Sequence, residues 1–130
     1  MSQKLIATLG QELQRSVVKD VYYKFLKNVK LFSLNFSTTF IEHLSTTLTE
    51  ERYGPDDVLY TEDSVNDRLF IILQGNVALK AHKKDIRVQG VGEVFGKYSF
   101  LTNQSETTRA VCRNVVTVIA VHRAACLELL

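Results

Sequence analysis

Near Glu50 the hydrophobic period of this 130-residue chain changes from three or four to two. That confines helices to the N-terminal third and the last few residues, and leaves most of the remainder to strands. Over Leu5 to Phe32 the apolar residues Leu9, Leu13, Val17, Val21, Phe25, Val29 and Phe32 recur at helical spacing, with Lys and Arg between them. The spacing predicts an amphipathic helix broken near Gly10, with Lys19, Lys24, Lys27 and Lys30 on its solvated face. A second helix is predicted from Ser37 to Leu48. Phe36, Phe40, Ile41, Leu44 and Leu48 line one side of it, and Ser37 serves as N-cap.

Beyond Glu50 short apolar runs alternate with turn signals. Glu51 to Tyr53 leads into Gly54-Pro55-Asp56-Asp57, where proline presets φ, and then into Val58 to Tyr60. Arg68 to Leu73 stops at Gln74-Gly75, and Asn76 to Ala81 resumes the alternation. Lys83 to Asp85 reads as a charged hairpin tip before Ile86 to Val88, and Ala110 to Arg113 with Val115 to Val121 reads as a hairpin around Asn114. His122 to Leu130 begins a helix. The pattern predicts an α+β fold: an antiparallel, jelly-roll-like β-roll of about eight strands, with N-terminal helices, a short internal helix and the start of a C-terminal helix. Val77, Leu79, Ile86, Val88, Val111 and Ile119, with Phe70 and Ile72, are the expected inward positions of a single core.

Composition narrows the class. Hydrophobic residues at 45% and charged residues at 23% suit a globular domain rather than a disordered one, and a net charge of +2 offers little pull towards nucleic acid. No apolar run approaches the ~18 residues of a membrane span, and no signal-peptide core opens the chain, so a soluble intracellular segment is expected. Cys112 and Cys126 lack metal-ligand spacing and read as small buried residues. His43, His82 and His122 are scattered, so no metal site is expected. Neither a Gly-x-Ser-x-Gly elbow nor a P-loop is present, and catalysis is not expected.

The densest chemical signal is Gly90-Val-Gly-Glu-Val-Phe-Gly-Lys-Tyr-Ser-Phe-Leu, followed after a polar loop by Thr107-Thr-Arg-Ala-Val. A glycine turn and one helical turn leave backbone N–H groups unpaired and partially positive, which suits an anion. Arg109 adds a fork that can grip a phosphate. The candidate ligand residues are Val94, Phe95, Gly96, Lys97, Ser99, Thr107, Thr108 and Arg109.

Tyr53-Gly-Pro-Asp-Asp-Val-Leu, Arg68-Leu-Phe-Ile-Ile-Leu-Gln-Gly-Asn-Val, Gly92-Glu-Val-Phe-Gly-Lys and Ser99-Phe-Leu-Thr resemble, in that order, the cyclic nucleotide-binding domain family. The resemblance covers about residues 36–130, which sets the expected division into a helical linker, 1–35, and a roll domain, 36–130. It implies cAMP or cGMP as ligand and no cofactor. Leu9 to Val17 and Phe25 to Phe32 look like the end of the linker that precedes this domain in tetrameric cation channels, potassium channels among them. That implies a cytosolic gating module on the cytoplasmic side of a membrane, joined to it only through a region before Met1. It also implies other channel subunits as partners through Leu5 to Phe32, and no nucleic acid.

The departures from the family pattern bear on binding. Members that bind carry Phe-Gly-Glu, the glutamate accepting from a ribose hydroxyl, whereas here Phe95-Gly96 is followed by Lys97, which can only donate. Lys97 either pairs with Glu93 or Glu106 and closes the site, or meets a phosphate itself. The family's phosphate-binding arginine falls on Thr107 if Val111 is kept inward, and on Arg109 in a register that shortens the hairpin around Asn114. A usual Gly-Asp turn is replaced by Glu62-Asp63-Ser64, which removes the residue best suited to positive φ. Three functions stay open: a channel gating domain with a degraded pocket, a working cAMP or cGMP sensor of a channel or kinase regulatory subunit, and a scaffold that has lost binding.

Overall fold

The computed structural model describes residues 20–82 and 84–130, which fall into two compact units divided between Thr46 and Thr47. In the first unit residues 20–27 are helical, and the helix stops at Asn28 and Val29 rather than running on to Phe32. Two further helices follow, α1 (Lys30–Ser33) and α2 (Thr38–Ser45). Ser37 caps α2 as its sequence position predicts, its Oγ accepting from the Phe40 N–H at 3.1 Å. Leu48 falls beyond the end of α2. The rings of Phe32, Phe36 and Phe40 stack in sequence along this unit, with centroids 6.1 and 4.5 Å apart. The stretch Leu5 to Lys19, which carries most of the linker reading and its break at Gly10, lies outside the described residues.

The second unit is an antiparallel roll of eight strands: β1 (Thr49–Tyr53), β2 (Val58–Tyr60), β3 (Arg68–Gln74), β4 (Val77–Ala81), β5 (Lys84–Gln89), β6 (Val94–Phe95), β7 (Arg109–Cys112) and β8 (Val116–His122). One sheet runs β1-β8-β3-β6 and the other β2-β7-β4-β5. Helix α3 (Lys97–Thr102) is inserted between β6 and β7, and α4 (Arg123–Leu129) follows β8. Among the described residues no helix is long and apolar enough to cross a membrane. The β3–β4 hairpin turns at Gly75, whose φ is +88° and where an added Cβ would lie 2.3 Å from the Val115 carbonyl oxygen. No other residue fits there.

Phe70, Ile72, Val77, Ala110, Cys112, Val118 and Ala120 form the core between the sheets with Leu59, Tyr60 and Phe95, and Leu79 packs at its margin. Part of the expected core is displaced. Ile86 is 64% and Val88 40% exposed, because β5 pairs one residue out of the expected phase: Val77 faces Gln89, which turns inward in their place. A one-residue slip moves every side chain to the other face. Val111 likewise lies on the outward face of β7, with Ala110 and Cys112 inward. Ile119 is fully buried, but opposite Ile71 on the other face of its sheet, because β8 is apolar on both sides and its alternation carries no phase.

Candidate functional site

The cassette between β6 and β7 is built on β3. Val94 and Phe95 pair with Ile71 and Phe70, and the Phe95 ring stacks on Phe70 at 5.0 Å. Gly96 then caps α3 with φ +83°. A Cβ at Gly96 would meet the Arg68 carbonyl oxygen at 2.9 Å and the Asn66 side chain at 3.0 Å, so the turn needs both the conformation and the small size of glycine. Ser99 is fully buried. Its hydroxyl accepts from the Asn66 N–H at 2.7 Å, which ties the helix to the β2–β3 loop. Asn103, at φ +56°, ends α3 with its N–H on the Ser99 carbonyl at 2.9 Å.

Arg123 clamps the far side. Its Nε donates to the Phe100 carbonyl at 3.0 Å and its Nη1 to Asn103 Oδ1 at 2.7 Å. Its Nη2 donates to the carbonyls of Ser99 at 2.6 Å and Asn66 at 3.0 Å. One guanidinium therefore binds the carbonyls of Ser99 and Phe100 in α3 and that of Asn66, and joins the cassette to the first residue of α4. Nothing in the sequence pattern singled it out, since its position after a strand reads only as a helix start.

The interior of the cassette is occupied by two side chains that the sequence reading did not place there. Tyr60, 7% exposed, lies 6.4 Å from Phe70 and 6.2 Å from Phe95, with its phenol facing the Thr108 hydroxyl and the Gly96 backbone. Burial first, and then the nearby Glu106 charge, push that phenol well above its usual range, against the opposing donors. Glu106 is 5% exposed. Its backbone is held by the turn it faces: the Asp63 N–H donates to its carbonyl at 3.2 Å, and its own N–H donates to the Ser64 carbonyl at 2.9 Å. Asp63 takes φ +66° there, so the turn that lost its glycine keeps the left-handed conformation at a cost of about 1 kcal/mol. The Glu106 carboxylate faces the Ser99 N–H and the Asn66 amide, while Oε1 has no hydrogen-bond partner among the described residues.

Burial holds the Glu106 carboxyl above the ordinary range, the Ser99 and Asn66 donors only partly opposing it. Because the folded-state pKa is raised, the ionised form penalises the fold at neutral pH, and the penalty is removed as pH falls through the folded pKa towards the unfolded one. Glu51 works in the other direction: burial alone would raise it, but the hydrogen bonds from Tyr53 and Arg68 outweigh that and hold it low. Comparing Glu106→Gln with wild type cancels such terms. The variant is expected to be more stable by about 1 kcal/mol at pH 7. The gap should close as denaturation curves are taken down towards pH 4, and a gap independent of pH would contradict the assignment.

The predicted ligand residues do not converge on one point. Gly96, Ser99 and Thr108 are brought together with Phe95 and half-buried Val94 behind them. Lys97 and Thr107 are exposed, and among the described residues no ion pair joins Lys97 to Glu93 or Glu106. The closure expected from Lys97 is thus not formed by it. Arg109 opens β7 opposite Lys80 and sits 4.0 Å from Glu62, half exposed. It lines a groove of about 540 Å³ on the outward face of the second sheet with Asp56, Val58, Glu62, Lys80, His82 and Val111. Cys112 and Cys126 are free and buried, and burial pushes the Cys112 thiol up to about 11, which keeps it unreactive. No group of three or more metal-ligating side chains occurs among the described residues.

A two-sheet roll with a glycine-capped helix between its sixth and seventh strands is an antiparallel β-roll in class. More specifically, the chain belongs to the cyclic nucleotide-binding domain family, whose model matches residues 50–130. Solved structures share the fold. The regulatory domain of Toxoplasma gondii protein kinase A with cAMP gives a TM-score of 0.75 at 15% identity, over 88% of this chain and 46% of that one. The regulatory subunit of a cAMP-independent protein kinase A from Trypanosoma brucei gives 0.72 at 22% identity, over 88% and 43%. The corresponding subunit from Trypanosoma cruzi, bound to guanosine, gives 0.77 at 17%, over 85% and 40%. At these identities the likeness is one of fold, and the chain spans less than half the length of each.

Proposed function

We propose that this chain is the regulatory module of a larger protein, with a cassette that binds cAMP or cGMP weakly or not at all. The observation that carries this is the placement of Lys97 and Arg109. The position after Phe95-Gly96 offers an exposed ammonium where a ribose hydroxyl needs an acceptor, and Arg109 is turned to Glu62 in the outward groove. An unpaired hydroxyl costs about 1–3 kcal/mol and a missing arginine–phosphate contact about 2–5 kcal/mol. Together they shift a micromolar ligand to about 0.2 mM or weaker. Titration calorimetry of the full chain with cAMP and with cGMP should show no saturable heat up to about 100 µM, and saturable micromolar binding would overturn the reading.

Occupancy of the cassette, by ligand or by the chain itself, is read out through Arg123, which links α3 to the first residue of α4. For the larger assembly two contexts compete. The linker-like sequence up to Phe32 favours a cytosolic gating module of a cation channel, on the cytoplasmic side of a membrane and contacting neighbouring subunits. The kinase regulatory subunits among the structural neighbours favour a module that binds a kinase catalytic subunit, and one of those subunits is bound to guanosine, an uncharged nucleoside. Co-purification of the full-length protein separates them: a membrane tetramer supports the first and a soluble kinase complex the second.

A further inference from the structure

We propose that Glu106 is a built-in anion occupying the place where a ligand phosphate would lie, so that the cassette selects against phosphate-bearing nucleotides by charge. The inference deepens the reading above and rests on it, with the phosphate seat taken as the open N–H groups at the start of α3.

A carboxylate 5% exposed, with one oxygen unpartnered, is an unusual tenant for a domain interior. It is kept there by its backbone. The pair of hydrogen bonds with Asp63 and Ser64 fixes the Cα, and the left-handed Asp63 shapes the turn that makes the pair. From that anchor the carboxylate faces the Ser99 N–H, one of the few backbone donors that α3 leaves open at its start, and the Asn66 amide. An incoming phosphate needs the same N–H and would have to enter beside a carboxylate. Like charges in a desolvated site repel strongly, and the Tyr60 ring fills the neighbouring space. The chain has, in effect, exchanged a carboxylate at position 97, on the helix, for one at position 106, on the loop: the first kind recruits a ribose and the second bars a phosphate. A neutral ligand meets no such repulsion.

The test uses the full chain, with cAMP, cGMP, adenosine and guanosine as probes, in wild type, Glu106→Gln and Glu106→Ala. Both variants should bind the cyclic nucleotides at least about tenfold more tightly than wild type, with the nucleosides changed by less than about twofold. Unchanged cyclic nucleotide binding overturns the proposal, as does an equal gain for nucleosides, which would mean that space rather than charge was the obstacle. Thermal melts check that each variant folds. Wild type supplies a readout that needs no variant, since cAMP bound more tightly than adenosine also overturns it. The two readings fail separately: a micromolar wild type that tightens further in the variants sinks the weak-site reading and leaves this one, and silent variants beside a silent wild type do the reverse.

Discussion

Replacing Phe70 by alanine should lower the unfolding free energy by about 3–5 kcal/mol, the cost of removing a large buried aromatic side chain. Phe70 is fully buried, with Phe95 stacked at 5.0 Å, Tyr60 at 6.4 Å and the Arg68 guanidinium 5.0 Å from its ring. It also lies within 3.4 Å of where a Gly96 Cβ would be, so the cavity would open directly beneath the cassette turn. Urea denaturation measures the loss, and Phe70→Leu, which refills most of the volume, should recover more than half of it. A loss below about 1.5 kcal/mol in the alanine variant would mean that the aromatic stack is not the base on which the cassette stands.

Arg123→Ala is expected to cost about 2–4 kcal/mol. Four hydrogen bonds from one charged group would be lost, three of them to main-chain carbonyls, of which only that of Ser99 also accepts from the Asn103 N–H. Arg123→Lys keeps the charge but cannot fork to Ser99 and Asn66 while reaching Phe100, so it should restore less than half. Amide exchange in α3 gives the sharper reading. Protection should fall there before it falls in β3 and β8, which hold the sheet core. Equal loss everywhere would show that Arg123 serves global stability and does not couple the cassette to α4.

The fold was legible because its signals were local. The helical period over residues 20–27 and 38–45, the Ser37 cap, the Gly54–Asp57 turn and the Gly75 hairpin each depend on a few neighbouring residues, and the structure keeps them. What failed depended on phase across strands. Ile86 and Val88 were placed inward because they alternate, but alternation does not say which half faces the core, and Gln89 took the inward place through its pairing with Val77. The two-residue β6 is too short to leave any periodic trace.

The candidate site was half legible for the same reason. Phe95, Gly96 and Ser99 lie in one continuous motif and act together. Tyr60, Asn66, Glu106 and Arg123 come from four separate parts of the chain, and only the roll brings them together. From the sequence Glu106 reads only as a partner for Lys97; that its carboxylate faces inward to Ser99 depends on the Asp63 turn, whose missing glycine is the one visible hint.

With Glu106 in place, the Ser99 N–H should be closed to a phosphate. Amide spectra of the 15N-labelled chain, recorded with and without about 1 mM cAMP, address that atom directly. The Ser99 and Gly96 resonances should stay in place in wild type and move in Glu106→Gln. A shift of both in wild type, saturating as ligand is added, would mean that the phosphate reaches the seat with Glu106 present, and would contradict the account.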